Sequence, residues 1–311
     1  MASTAESGRR FRLRLEYLLL TITALFWALG HPLGRLVLRE VHPFQLAAVN
    51  LVVGFLSIFL YLLVSGQARG LLRLAGGDLA GSLALGVLGF FVYQICTFSA
   101  LARIPASVNA LLISSNVVII VLLSAAVLKE RLSWQRILGI LVALGGVVLV
   151  TFNTGLELGG RVNLLGCAFS IAAAISFSLY TVFGKRLLAR NDPLLVVTVA
   201  LFSGALCLTA LCAATVGFRS LFSASARTLE LMLFLGITMI GIAYPLWFSC
   251  LKRLPASHVS IFIYLSPIFA VILSLLILQE RFAWPFWIGG LLVLAGIVGA
   301  NLEYSGSRRR I

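Results

Sequence analysis

The sequence predicts an all-α integral membrane fold, ten transmembrane helices built as two inverted five-helix repeats. Three observations carry that prediction. Of the 311 residues, 61% are apolar and 11% charged, too few charges to coat a soluble chain of this length. The apolar residues gather into ten runs near the ~20 residues that a helix needs to cross a bilayer. Finally, Ser99–Arg131, reading SALARIPASVNALLISSNVVIIVLLSAAVLKER, returns 150 residues later as SCLKRLPASHVSIFIYLSPIFAVILSLLILQER, Ser249–Arg281. Arg103, Pro105, Ala106, Ser107, Ser124, Glu130, Arg131 and Trp134 fall on Arg253, Pro255, Ala256, Ser257, Ser274, Glu280, Arg281 and Trp284 without a gap. The same offset carries Gly34, Arg35, Gly54 and Gly86 onto Gly184, Lys185, Gly204 and Gly236. One unit of about 150 residues has been duplicated.

Residues 1–14 read as a basic cytoplasmic tail. A secretory signal also begins this way, but the apolar run that follows is too long, and Trp27, His31 and Pro32 stand where small cleavage-site residues would be. The first unit, 15–152, holds runs at 15–37, 44–65, 79–101, 105–128 and 133–152. Its copy, 163–303, holds 163–186, 194–217, 228–250, 255–278 and 283–303, and 304–311 form a second basic tail. Pro105 is expected at the first position of its helix, where a missing N–H is tolerated. Glycines at matching places, Gly139 and Gly146 against Gly289 and Gly296, predict that the fifth and tenth helices pack closely as a scaffold.

Orientation follows from Lys and Arg in the short loops, which stay on the cytoplasmic side. Seventeen of the 24 fall on the side of the amino terminus and seven on the other, so both termini are expected in the cytoplasm. Five is odd, so the second unit must enter the membrane upside down, the arrangement that puts a substrate site near the midplane between the halves.

The net charge of +14 does not argue for nucleic acid, because the basic residues sit in short clusters between apolar runs. The expected surroundings are the lipid bilayer, with no nucleic-acid partner and a monomeric chain. The five cysteines lie inside apolar runs with no CxxC, and no metal site or cofactor is expected. Scattered His31, His42 and His258 give no catalytic or metal cluster of the kind a membrane enzyme on lipid-linked substrates would need. No Walker A motif provides for ATP, and no pore loop provides for a channel.

The repeated Pro-Ala-Ser, the Glu-Arg pair, and Trp134 or Trp284 before a glycine-bearing helix resemble the EamA-type branch of the drug/metabolite transporter superfamily, and within it bacterial aromatic amino acid exporters. The resemblance implies a ten-helix exporter of small metabolites with a cavity framed by helices 1, 3, 4, 6, 8 and 9. Pro267 fits the family's mid-helix proline, but its counterpart is Val117, so the two helices are expected to bend unequally.

Polar groups near mid-span are the candidate substrate-binding residues, because unpaired polarity in hydrocarbon is costly. They are Trp27 and His31 in the first helix, Tyr93 and Gln94 in the third, and Asn109, Ser115 and Asn116 in the fourth. Ser178 and Tyr180 in the sixth, Tyr244 in the eighth, and Tyr264 and Ser266 in the ninth complete the set. Hydrogen bonding between helices is the competing account of each. Asn109 and Asn116, seven apart, are expected on one helical face. Such an aromatic and amide lining suits a neutral or zwitterionic ligand with an apolar side chain.

All ten carboxylates lie in tails, loops or helix ends, and His31 is the sole titratable candidate at depth besides the tyrosines and cysteines. Transport driven by the substrate's own gradient is therefore expected. The reading is an exporter of amino acids, aromatic and other apolar ones, in a bacterial inner membrane, working by alternating access. Exchange of nucleotide-sugars or other metabolites is the alternative, though it would call for Lys or Arg within the spans.

Overall fold

The computed structural model describes residues 2–74, 76–116, 118–120, 122–123, 134–157, 163–253, 262–263 and 265–306, which form helices joined by short turns and no strand. The helices are α1 (Ala2–Val37), α2 (Pro43–Val64), α3 (Gly76–Leu101), α4 (Ala106–Ile113), α5 (Trp134–Glu157), α6 (Leu164–Arg190) and α7 (Pro193–Thr215). Then come α8 (Ala226–Arg253), α9 (Leu265–Leu278) and α10 (Trp284–Gly306). Six of them, within α1, α2, α3, α6, α7 and α8, are long and apolar enough to cross a membrane, and shorter apolar helices occupy the expected places of the fourth, fifth, ninth and tenth spans. Leucines on outward faces stay largely exposed, Leu60 at 61% and Leu206 at 59%. Such exposure is costly in water and costless in lipid. The chain is a multi-pass membrane protein.

The helix starts follow local chemistry. Asp192 accepts from Leu194 N at 2.9 Å ahead of Pro193, and Asn163 accepts from Gly166 N at 2.9 Å, each satisfying a donor that the first turn leaves free. His42 and Gln45 form a reciprocal capping box at the start of α2. The basic amino-terminal stretch is helical from Ala2, ahead of the apolar span that begins at Leu15. One expectation shifts. Pro105 precedes its helix with ψ 149°, one place earlier than expected, and the donors behind it are met from elsewhere in the chain.

The two halves interlock through glycines. A Cβ on Gly86 in α3 would lie 2.0 Å from the Ala200 carbonyl of α7, and one on Gly236 in α8 would lie 2.7 Å from Val53 of α2. Gly204 and Gly54 meet the same surfaces from the opposite side, against Phe90 and Ile240. These are the repeat-matched glycines, so the third helix of each half packs on the second helix of the other. The main core lies along this seam, with Leu20, Leu46, Phe90, Val197 and Met232 buried in one cluster, while Leu112, Cys167 and Phe286 join α4, α6 and α10 in another. At the periphery α5 lies on α10: a Cβ on Gly146 would sit 2.5 Å from Gly289 O, and one on Gly296 would sit 2.5 Å from Gly139 O.

Two features were not anticipated. Both α3 and α8 widen into a π-helical turn, at Val87–Val92 and Gly236–Ile242, positions related by the repeat offset. Proline is not the common cause, since Pro245 has Ile95 as its counterpart; what the two turns share is the close-packed glycine at their start. Second, α4 stops at Ile113 and residues 114–115 form a turn. Ser114 Oγ and Ser115 Oγ donate to Leu111 O at 2.6 Å and Leu112 O at 2.7 Å, giving those carbonyls a partner outside the regular ladder. The irregularity in the fourth helix falls at the paired serines, two residues before Val117.

Candidate binding cavity

A cavity opens where α1, α3, α4, α8 and the start of α9 converge, flanked by Phe177 of α6. Trp27, His31, Tyr93, Gln94, Asn116, Tyr244 and Ser266 line it, seven of the twelve residues expected from the sequence. The other walls are apolar, including Phe98, Ile113, Ile240 and Pro267, and among the described residues the lining contains no Asp, Glu, Lys or Arg.

The aromatic wall is built on the π turn of α8. Trp27 Nε1 donates to Met239 O at 3.2 Å, reaching a carbonyl within that turn, and its ring packs 5.5 Å from Tyr244 and 5.2 Å from Trp247. Widened turns loosen the regular backbone ladder and recur at functional sites. The mirrored arrangement occurs at α3, where Ser176 Oγ of α6 donates to Leu88 O at 2.5 Å within the first π turn. Each π turn is thus tethered by the opposite half. Gly30 makes room for Met239, whose Cε lies 2.3 Å from where a Cβ would be.

On the polar side, Ser170 Oγ bonds Asn109 Oδ1 at 2.8 Å, and Asn109 Nδ2 lies 3.4 Å from both Thr97 O and His31 Nδ1. Asn109 is fully buried behind the wall and holds His31, which faces the cavity. Asn116 differs: its Oδ1 is buried without a hydrogen-bond partner. A buried acceptor left unpaired costs about 1–3 kcal/mol, which a ligand donor would recover.

Four expected residues stand away from the cavity. Asn109 lies behind His31, Ser115 bonds back to Leu112 O, and Ser178 donates to Asn116 O at 2.9 Å and to Ala174 O at 2.6 Å. Tyr180 packs behind the wall against Phe90 and over Gly89, whose Cβ would fall 2.2 Å from its ring. Asn109 and Asn116 do not form one polar strip, because the 114–115 turn separates them. Tyr264 lies outside the described residues. Sequence reasoning missed Gly30, Phe177 and Met239. The available signal was the matched pair Gly86 and Gly236, which marks where both helices widen.

Comparison with known proteins agrees with this architecture. The EamA-like transporter family model matches residues 14–152 and again 164–302. A protein of Streptantibioticus cattleyicolor named "Probable terminal-alkyne amino-acid exporter" is 29% identical over 93% of this chain and 94% of its own. The Escherichia coli "Probable amino-acid metabolite efflux pump" is 23% identical over 91% and 94%, and an Archaeoglobus fulgidus "Uncharacterized transporter" 26% identical over 91% and 97%. One solved crystal structure superposes with TM-score 0.68 over 96% of this chain and 99% of that one, at 23% identity, a likeness of fold alone. With two copies of the family model covering nearly its whole length, the chain belongs to the EamA-like transporter family.

Proposed function

We propose that this protein exports small neutral or zwitterionic metabolites, foremost aromatic and other apolar amino acids, by alternating access between two inverted five-helix halves. The supporting observation is the cavity lining: Trp27, Tyr93 and Tyr244 beside Gln94, Asn116 and Ser266, with no fixed charge among the described residues. Aromatic walls enclose an apolar side chain, and the unpaired Asn116 Oδ1 accepts from an ammonium group. An anionic ligand such as a nucleotide-sugar would leave its charge unmatched there. The names of two relatives point to the same substrate class. In this reading the ten spans place both termini in the cytoplasm of a bacterial inner membrane, and the hairpins α3–α4 and α8–α9 rock about the cavity.

The test is uptake of labelled phenylalanine, threonine and methionine by the purified protein in sealed liposomes, with and without an imposed pH gradient. Saturable uptake without the gradient is the expected result. Uptake that requires the gradient, with its pH dependence lost in His31→Gln, would replace facilitated export by proton coupling. Transport of nucleotide-sugars and of no amino acid would overturn the substrate class.

A further inference from the structure

The polar groups around the cavity are unevenly committed. Trp27 Nε1 already donates to Met239 O at 3.2 Å, and Ser114 Oγ, on another wall, already donates to Leu111 O at 2.6 Å. Asn116 is the reverse case. Its backbone carbonyl accepts from Ser178 Oγ at 2.9 Å, while its side-chain Oδ1 meets no donor although the residue is only 5% exposed. A buried acceptor without a partner is costly, and a bound ligand that brings a donor removes the cost. Asn116 also stands directly after the 114–115 turn that ends α4, and the carbonyl end of a helix carries partial negative charge. In interrupted transporter helices, such carbonyl ends face cations. Rings complete the setting: Trp27, Tyr93, Phe177 and Tyr244 line the same cavity, and aromatic faces attract cations.

The opposite charge is less well provided for. No Lys or Arg lines the cavity among the described residues, and Gln94 and Ser266 offer a carboxylate only neutral donors. Hydrogen bonds from neutral donors hold a carboxylate more weakly than those from a cation. A zwitterion therefore fits, but its two ends are not equally recognised. We propose that the protein selects its substrates by a free ammonium group, bound at Asn116 Oδ1 beside the end of α4. The substrate class then includes primary amines that carry an aromatic or other apolar side chain and no carboxylate. Decarboxylation of an aromatic amino acid yields such an amine, so one site takes both the amino acid and its decarboxylated product. N-acylation removes the recognised group, because it turns the ammonium into an uncharged amide. This rests on the reading of the cavity as the substrate site and extends the amino acids proposed above to a second class.

The test is calorimetric titration of the full chain in nanodiscs, with empty nanodiscs to subtract partition of each ligand into lipid. The probes are phenylalanine, phenethylamine, which lacks the carboxylate, hydrocinnamate, which lacks the ammonium, and N-acetylphenylalanine. Phenethylamine should bind about as tightly as phenylalanine. Hydrocinnamate and N-acetylphenylalanine should bind at least about tenfold more weakly, the loss expected for one charge-assisted hydrogen bond. Asn116→Ala should lower the preference for phenethylamine over hydrocinnamate about tenfold. Asn116→Asp, similar in size and with a charged acceptor, should raise that preference about tenfold, an opposite sign that a folding defect in Asn116→Ala does not imitate. Hydrocinnamate binding as tightly as phenylalanine while phenethylamine does not bind would overturn the proposal, as would Asn116 substitutions that weaken all four ligands alike. Binding of phenylalanine without the amine would refute the amine class alone. Binding of the amine without phenylalanine would refute the amino acid reading alone, and binding of neither would overturn both.

Discussion

The α5–α10 pair and the cavity wall both bring helices into close contact, but they do so by opposite means. Between α5 and α10 the contact is backbone on backbone, Gly146 on Gly289 O and Gly296 on Gly139 O, with no room for a methyl group. Around the cavity the backbone itself is irregular: α3 and α8 carry π turns, α4 breaks at 114–115, and Asn116 Oδ1 has no partner. Packing of the first kind tolerates no change of shape. The second kind holds hydrogen-bonding capacity in reserve for a ligand and joints that permit motion. The difference suggests that the molecule divides its labour between a rigid rim and an adaptable centre.

The largest effect should come from breaking the rim. Gly146→Leu and Gly296→Leu place a side chain where backbone atoms lie within about 3 Å, and overpacking costs about 1–3 kcal/mol or more. Folded yield, read by size-exclusion chromatography, should fall several-fold while the surviving protein keeps the same order of substrate preference. A changed preference at normal yield would erase the distinction.

Next is Asn116→Ala. Removing an unpaired acceptor should leave the melting temperature unchanged or slightly raised, while the uptake KM rises about tenfold through loss of one charge-assisted hydrogen bond. Its neighbour supplies the contrast: Ser115→Ala removes only a bond to Leu112 O and should change KM by less than about twofold.

The smallest effect lies outside the membrane. Hydrogen bonds from Ser225 N, Ser225 Oγ and the neighbouring Thr228 hydroxyl hold the Glu40 carboxyl below its usual range. A carboxyl depressed in the folded state contributes stability above its unfolded pKa of about 4.3, and that contribution fades as pH falls through the folded value. Melting curves from pH 6 to 3 should therefore show wild type converging slightly on Glu40→Gln as acidity increases.

Much of this was legible in the sequence because the duplication reports twice on each constraint. The glycines matched at one offset, Gly54 with Gly204 and Gly86 with Gly236, proved to be the contacts that interlock the halves. Trp27, Tyr93 and Tyr244 line the cavity as their depth in the spans suggested, whereas Tyr180, by the same argument a candidate, packs behind the wall. What could not be read was register. Arguments from spacing assume 3.6 residues per turn, and a π turn inserts one residue, turning all that follows by about 100°. At 114–115 the Ser115 N–H reaches back three residues to Leu112 O, a tighter turn than the α-helical one, and Asn109 and Asn116 face different neighbours despite a spacing of seven. Bonds such as Ser178 to the Asn116 carbonyl link residues 62 apart, and no local pattern announces them.

Binding of phenylalanine to the purified protein, followed by tryptophan fluorescence, probes the aromatic cavity most directly. A saturable change is expected with phenylalanine and methionine and not with glutamate or a nucleotide-sugar, and it should be lost in Trp27→Phe and weakened about tenfold in Asn116→Ala. Equal responses to glutamate, or a phenylalanine response that Trp27→Phe and Asn116→Ala leave intact, would contradict the assignment of this cavity as the site of a neutral or zwitterionic substrate.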